Sequence, residues 1–442
     1  MHENFQKFPL TEYLEQYRQR GMLRAHMPGH KGRGISEFSH PSDVFSWDIT
    51  EISGADSLFE ASGILLAGEA QTSLLYGSGA CCWSAGGSTL CIQAMLAKMR
   101  SENRTVIAAR TVHRAFLNAC VLLGLSVRWV FPRSGGIISG EYALQDFSEA
   151  LQSAVAAGES PCVYVTSPDY LGNMQDIAGL AALCHAADAP LLVDNAHGAH
   201  LAFLHENRHP MALGADYCCD SAHKMLPALT GAAVLHCRNT ADAPLLKQHM
   251  QMFGSTSPSY LIMQSIESSM AYLAGRGRAE VQRSEILAQE LRQKLAQRYQ
   301  FIGTEPFHLT IAADGHDLAA QLRQQNVECE YEDSSFLVLL LSPVMTQTEF
   351  DALYHALCSC NPKPPKSVPV LPSPMETVCD MRTAALSAWE TVSIADAQGR
   401  ICGPVQVPCP PAVPIAVSGE RLNDEWLSLM GFYGISTVAV MR

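Results

Sequence analysis

The 442-residue chain has no apolar run of the roughly eighteen residues that a membrane-spanning helix needs, so no membrane span is expected. It has no Cys-x-x-Cys pair, although it carries 15 cysteines. They are scattered or adjacent, as in Cys81-Cys82 and Cys218-Cys219, which argues for reduced, buried thiols and against a disulfide framework or a zinc ribbon. The first residues are polar and lack the apolar core of a secretory leader, so a cytoplasmic protein is expected. Cations are in short supply: 30 Lys and Arg against 43 Asp and Glu leave a net charge of −13. That balance excludes a phosphate-gripping nucleic-acid binder and leaves a small molecule as the expected partner. Gly-x-Ser-x-Gly, Ser-Asp-Asn and Lys-Thr-Gly are all missing. The Ser221-x-x-Lys224 match to serine acyl enzymes therefore stands without its companions. No internal repeat is present.

What is present is a well-buried globular composition, 48% hydrophobic and 17% charged. One pair of segments stands out. Val193-Asp194-Asn195-Ala196-His197-Gly198-Ala199-His200 is followed, some thirty residues on, by Ser221-Ala222-His223-Lys224. Each lies next to an expected strand end. An amine and a carboxylate so placed suit pyridoxal 5'-phosphate (PLP): the lysine holds the aldehyde as a Schiff base, and the acid keeps the pyridine nitrogen protonated.

Helical stretches are expected at 61–75, 88–100 and 178–186. Short apolar runs lie between them, at 105–109, 127–131, 162–166, 190–194, 217–219 and 232–236. Alternating strands and helices predict an α/β fold with a mostly parallel sheet, whose ligands sit beyond the carboxyl ends of the strands. Thr166-Ser167, Asp194 and the 221–224 loop all fall at such ends. A short helix is expected over 10–20, before a breaker-rich basic loop, His26-Met-Pro-Gly-His-Lys-Gly-Arg-Gly34, suited to cover a site. Residues 241–275 read as a linker with a polar turn at 254–259, then a long helix over 278–297. Strands at 307–311, 327–331 and 336–341 suggest a smaller α/β domain. Proline-rich connectors follow at 359–374 and 404–414, with a helix over 381–391 between them. The domains are set at 1–54 (arm and active-site loop), 55–250 (large PLP-binding domain), 251–360 (linker helix and small domain) and 361–442.

Each candidate residue also has a plain structural explanation. Lys224 alone is an ordinary surface lysine; the apolar Met225-Leu226-Pro227 after it would favour a neutral, nucleophilic amine. Asp194 alone is a turn residue or helix cap. Gly86-Gly87-Ser88-Thr89, just before a helix, offers a phosphate cradle, or Ser88 is only an N-cap. His113 follows an expected strand and could stack on a cofactor ring. Asp194-x-x-His197-x-x-His200 raises a metal site, but no zinc-enzyme spacing supports it, and no metal is expected.

Several motifs in order resemble the Orn/Lys/Arg decarboxylase family of PLP enzymes, fold type I, in its short form. They are HMPGHKGRG, DITEISGADSLFEASG, AGGSTLCIQAM, TSPDYLGNMQDI, LLVDNAHGAHL, SAHKMLPALTGAAVLH, STSPSYLIMQSIE and GRICGPVQVPCPPAVPIAVSGERL. The resemblance implies a PLP-dependent transferase-like large domain with a seven-stranded-type sheet, plus a smaller C-terminal α/β domain. It implies Lys224 as the Schiff-base lysine, Asp194 on the pyridine nitrogen, Ala196 under the ring and His113 on its other face. Gly87, Ser88, Thr89, Ser221 and His223 would lie near the phosphate, with His197 beside the cofactor. It also implies a homodimer or higher oligomer with shared active sites, in which Ser257 reaches the neighbour's phosphate and Glu390 lies near the substrate entrance. The chain departs from the pattern at Asn195 (usually Glu), Gly231 (often Gln), Cys409 and Ser418 (usually Pro). The implied reaction is α-decarboxylation of arginine, lysine or ornithine to an amine that feeds polyamine synthesis, with His223 or Lys224 returning a proton to Cα. Transamination, elimination or desulfuration would use the same lysine and acid, and a non-catalytic scaffold is the rival from another class.

Overall fold

The computed structural model describes residues 8–20, 24, 27–28, 31, 44–405, 407 and 411–442. Most of the basic loop at 26–34 and the Cys409-Pro410 departure lie outside the described residues. The chain divides into two compact units, Met1–Lys98 with Asn195–Gln282, and Met99–Asp194 with Arg283–Arg442.

In the first unit, helix Pro9–Gln19 buries Leu10, Leu14 and Tyr17, spaced to share one face. Its free N-terminal N–H groups are satisfied from far along the chain: the Glu267 carboxylate accepts from the Leu10 and Thr11 amides at 3.1 and 2.8 Å. Strands β1 (Ala80–Ser84) and, as numbered below, β6 (Tyr217–Asp220) both pair antiparallel with β7 (Ala233–Cys237). Residues 241–275 are not a linker. Helices Ala243–Phe253 and Tyr260–Tyr272 occupy them and bury Leu246 and Met250, and Met263, Ile266 and Met270. The polar stretch between them is the turn, and Ser259 caps the second helix by accepting from the Ile262 amide.

The second unit holds β2 (Thr105–Ala109), β3 (Val127–Val130), β4 (Pro161–Thr166) and β5 (Leu191–Asp194). The β2–β3, β2–β4 and β4–β5 pairs are parallel. The seven strands run in the sheet order β1-β7-β6-β5-β4-β2-β3. This is the large, mostly parallel sheet expected from the sequence. Thr166, Asp194 and Asp220 end β4, β5 and β6, so Ser167, Asn195 and Ser221 begin the loops beyond those carboxyl ends.

The same unit contains an antiparallel sheet of β8 (Gln300–Ile302), β9 (His308–Ala312), β10 (Tyr331–Glu332) and β11 (Phe336–Leu340), in the order β8-β9-β11-β10. The strand expected over 327–331 is reduced to Tyr331–Glu332; Val327 instead closes the end of helix Gly315–Arg323 by donating to the Leu322 carbonyl. The helix expected over 381–391 stops at Leu386, and Trp389–Ser393 forms strand β12, paired with β13 (Thr437–Met441). Trp426, Leu429 and Val440 pack into the core of this C-terminal part.

Among the described residues no helix is long and apolar enough to cross a membrane. The described cysteines are free, and most are buried.

One buried ion pair ties together four segments of the first unit. Lys247 Nζ lies 2.7 Å from Glu69 Oε2 and donates to the Leu58 carbonyl at 2.7 Å. Glu69 Oε1 accepts from the Trp83 amide at 2.9 Å. Burial pushes the Glu69 carboxyl up to about 7, with Lys247 opposing it. A carboxyl with a raised folded pKa loses stability as pH rises from its unfolded value through its folded one. In Lys247→Ala the opposing cation is gone, so that loss continues above pH 7. Thermal unfolding from pH 6 to 9 should show a deficit against wild type that grows with pH and reaches about 3 kcal/mol or more once the carboxylate is ionised and unpaired.

Candidate functional site

Strand β6 runs into one helical turn, Ala222–Met225, and this turn carries Lys224. The Lys224 amide donates to the Ser221 carbonyl at 3.1 Å. Lys224 is exposed as a whole residue. Its Nζ lies 3.0 Å from Nε2 of the buried His197. His197 stands in the fully buried stretch 191–200, which includes Ala196.

A second contact links Ser88 and Ser221. Ser221 Oγ donates to Ser88 Oγ at 2.7 Å, at the N-terminal end of the 15-residue helix Gly87–Ser101. Gly87 has a positive φ of 68° with open space where a Cβ would stand, and Thr89 beside it is exposed. This end of a helix, with two hydroxyls and a bare backbone, matches a phosphate cradle.

His223 is half-buried. Its Nδ1 lies 2.9 Å from the Ala232 carbonyl. A carbonyl only accepts, so Nδ1 carries the hydrogen, and burial lowers the ring's pKa. The ring is then neutral, with Nε2 as an acceptor. Ser257 is exposed on the turn before helix Tyr260–Tyr272, and its amide donates to Ser255 Oγ at 3.2 Å.

The second unit holds the other candidates. Asp194 is buried at the end of β5, where its Oδ2 accepts from the Tyr164 hydroxyl at 3.3 Å. His113 is half-buried and N-caps helix Arg114–Leu123; its Nδ1 accepts from the Ala115 amide at 3.1 Å, which fixes the ring. Glu390 is not on a helix but on β12, where its carboxylate accepts from Arg400 at 2.8 Å. The resemblance implies a place near the substrate entrance for this same group.

Two family models match the chain: the Orn/Lys/Arg decarboxylase major domain over residues 8–313 and the C-terminal domain of the same family over 372–436. The chain belongs to the Orn/Lys/Arg decarboxylase family. It is an enzyme of that amino-acid decarboxylase class. An uncharacterized Bacillus subtilis protein, YaaO, is 28% identical, covering 94% of this chain and 92% of that protein. An arginine decarboxylase of the same organism is 26% identical, over 95% of this chain and 92% of that protein. Two solved structures share the fold. The lysine decarboxylase LdcF of Francisella novicida has a TM-score of 0.82 at 16% identity, over 98% of this chain and 81% of that one. Lysine decarboxylase A of Pseudomonas aeruginosa has a TM-score of 0.83 at 18% identity, over 98% and 80%.

The structure thus brings Lys224 to His197 and Ser221 to Ser88. The sequence did not single out Asp220, which precedes Ser221 and is fully buried. Its only sequence signal is a carboxylate at a strand end next to the lysine-bearing loop.

The departure at Gly231 has a backbone cause in this chain. Gly231 has φ +97°, a region side chains rarely adopt, and its carbonyl accepts from the Gly87 amide at 2.8 Å. Placing the family's glutamine there, Gly231→Gln, should cost about 1–3 kcal/mol. A melting temperature equal to wild type would show that the backbone relaxes freely at this point.

Proposed function

We propose that this family member is a PLP-dependent α-decarboxylase of a basic amino acid: arginine, lysine or ornithine. The observation that carries the reading is the exposed Lys224 amine 3.0 Å from the buried His197, on the turn that ends β6, in a chain of this family. The arginine decarboxylases among its relatives, matched over more than nine tenths of the chain, make arginine the first substrate to test.

The residues present fit the cofactor. Lys224 offers a primary amine to an aldehyde. Ser88 and Ser221, 2.7 Å apart at a helix N-terminus beside Gly87, offer hydroxyls to a phosphate. Asp194 offers a carboxylate to a ring nitrogen. When bound, PLP would supply an electron sink for the pair released as the Cα–carboxylate bond breaks.

This chain's own residues do the rest. Lys224 would hold the aldehyde carbon and give way to the substrate's α-amine. Asp194 would keep a proton on the ring nitrogen. Ala196 would pack under the ring, and the fixed His113 ring would stack on the other face. His223 is neutral with its hydrogen turned to Ala232, so it does not present a donor at Nε2. We therefore assign the proton returned to Cα to Lys224, with His197 holding its amine. We further infer a cytoplasmic homodimer or larger assembly, with Ser257 contributing to a neighbouring site.

The test incubates PLP-loaded protein separately with arginine, lysine and ornithine, and measures carbon dioxide and amine. Release from at least one is expected, and release from none would end the assignment; a keto acid in place of an amine would move it to transamination. Lys224→Ala should abolish the visible absorbance of the loaded protein and lower release by about a thousandfold or more.

A further inference from the structure

We propose that Asp220 is a positioning residue for Lys224: a buried carboxylate that fixes the turn carrying His197 against the turn carrying Lys224. The inference rests on the role given to Lys224 above.

Asp220 sits at the centre of a buried cluster in the first unit. His209 Nε2 lies 3.0 Å from Oδ2 and 3.2 Å from Oδ1, and His236 Nε2 lies 3.2 Å from Oδ2. Asn195 Nδ2 donates to Oδ1 at 2.7 Å, and Cys218 Sγ lies 3.6 Å from Oδ1. His209, Cys218 and Asp220 bring one ligand atom each within 4.8 Å of one another, close enough to suggest a metal. The tautomer of His209 decides otherwise. The Met211 amide donates to His209 Nδ1 at 3.3 Å, so the neutral ring carries its hydrogen on Nε2. That N–H points at Asp220, where a metal would need a lone pair. Burial lowers the His236 pKa and keeps this ring neutral as well. The cluster is therefore an anion without a formal cation, held by hydrogen-bond donors.

Two arms run from this anion toward the amine. Along the first, Asn195 bonds Asp220 through its side chain and the Cys219 carbonyl through its amide, at 3.0 Å. The Asn195 carbonyl accepts from the Gly198 amide at 2.8 Å, closing the turn that contains His197. A Cβ on Gly198 would stand 1.9 Å from Asn195 Oδ1, so the turn and the Asn195 side chain occupy one fitted space. Tyr76 fixes the far end of the turn. Its ring packs on both imidazoles, with centroids 5.0 and 4.6 Å away, and its hydroxyl donates to the Ala199 carbonyl at 2.8 Å. Along the second arm, Asp220 is bonded covalently to Ser221, whose carbonyl accepts from the Lys224 amide and whose hydroxyl reaches Ser88. The 3.0 Å Lys224–His197 contact closes the two arms into a loop.

The deciding experiment compares crystal structures and kinetics of full-length wild type, Asp220→Asn and Asn195→Ala. Asp220→Asn keeps the shape and removes the charge. Asn195→Ala cuts one arm and leaves Asp220 with both imidazoles, so it decides the matter if the first variant does not fold. Each is expected to move Nζ of Lys224 beyond hydrogen-bond reach of His197, past about 3.5 Å. Each should also lower kcat by about tenfold or more with KM nearly unchanged, because the reacting amine is misplaced and substrate binding is not. A lower melting temperature with the contact and kcat intact would mean a purely structural role and overturn the inference. The measured distance judges the inference without any turnover; wild type that releases no carbon dioxide would instead overturn the decarboxylase assignment.

Discussion

A carboxylate buried without a cation is the constraint around which the first unit is organised. Removing an ionised group from water costs several kcal/mol, and the charge persists only where donors replace its hydration. Around Asp220 two imidazole N–H groups and one amide do so. Each donor comes from a different part of the unit: the loop before β6, strand β7, and the turn that begins at Asn195. The anion therefore fixes their relative positions as well as its own.

This constraint makes sense of a departure from the family pattern that looks like a weakness in the sequence alone. With Glu at 195, two carboxylates would meet in a dry interior, and one would have to take up a proton. Asn195 donates instead, and its orientation follows from the acceptor it faces. Its Oδ1 finds no partner among the described residues, a cost tolerated beside a 2.7 Å charge-assisted bond. Gly231 follows the same pattern, since its positive φ presents a carbonyl to Gly87. Ser418 does not. Its buried Oγ has no partner among the described residues, and nothing in the structure explains the exchange.

The sheet was legible because its strands are short apolar runs between helices: 105–109 matches β2 residue for residue, and 190–194 and 217–219 fall within one residue of β5 and β6. Strand β1 was missed because Ala80-Cys-Cys-Trp-Ser84 lacks β-branched residues and lies between Gly79 and Gly86-Gly87. Helices Ala243–Phe253 and Tyr260–Tyr272 were hidden by the polar turn between them, which outweighed the buried spacing on either side. At the candidate site, Lys224, His197, Ser88 and Ser221 were legible from motif and chemistry together. The Asp220 cluster was not. His209 and His236 stand 11 and 16 residues from it, spacings that no single helix or strand brings together. Only the antiparallel pairing of β6 with β7 and the loop before β6 close that distance.

An amine and an acid serve many PLP reactions alike, so under the proposed function they would not choose which bond at Cα breaks; family membership would carry that choice. What the residues would choose is how protons move. His223 has committed its hydrogen to the Ala232 carbonyl and sits half-buried, conditions under which it accepts more readily than it donates. Lys224 is exposed, has three hydrogens when charged, and is held from one side by His197. In the proposed reaction the proton returned to the substrate carbon would be carried by the same amine that first held the cofactor. Its geometry in that step would be set by the His197 turn, and the position of that turn follows from Asn195 and Asp220. An anion that touches neither substrate nor cofactor would in this way govern the final proton transfer.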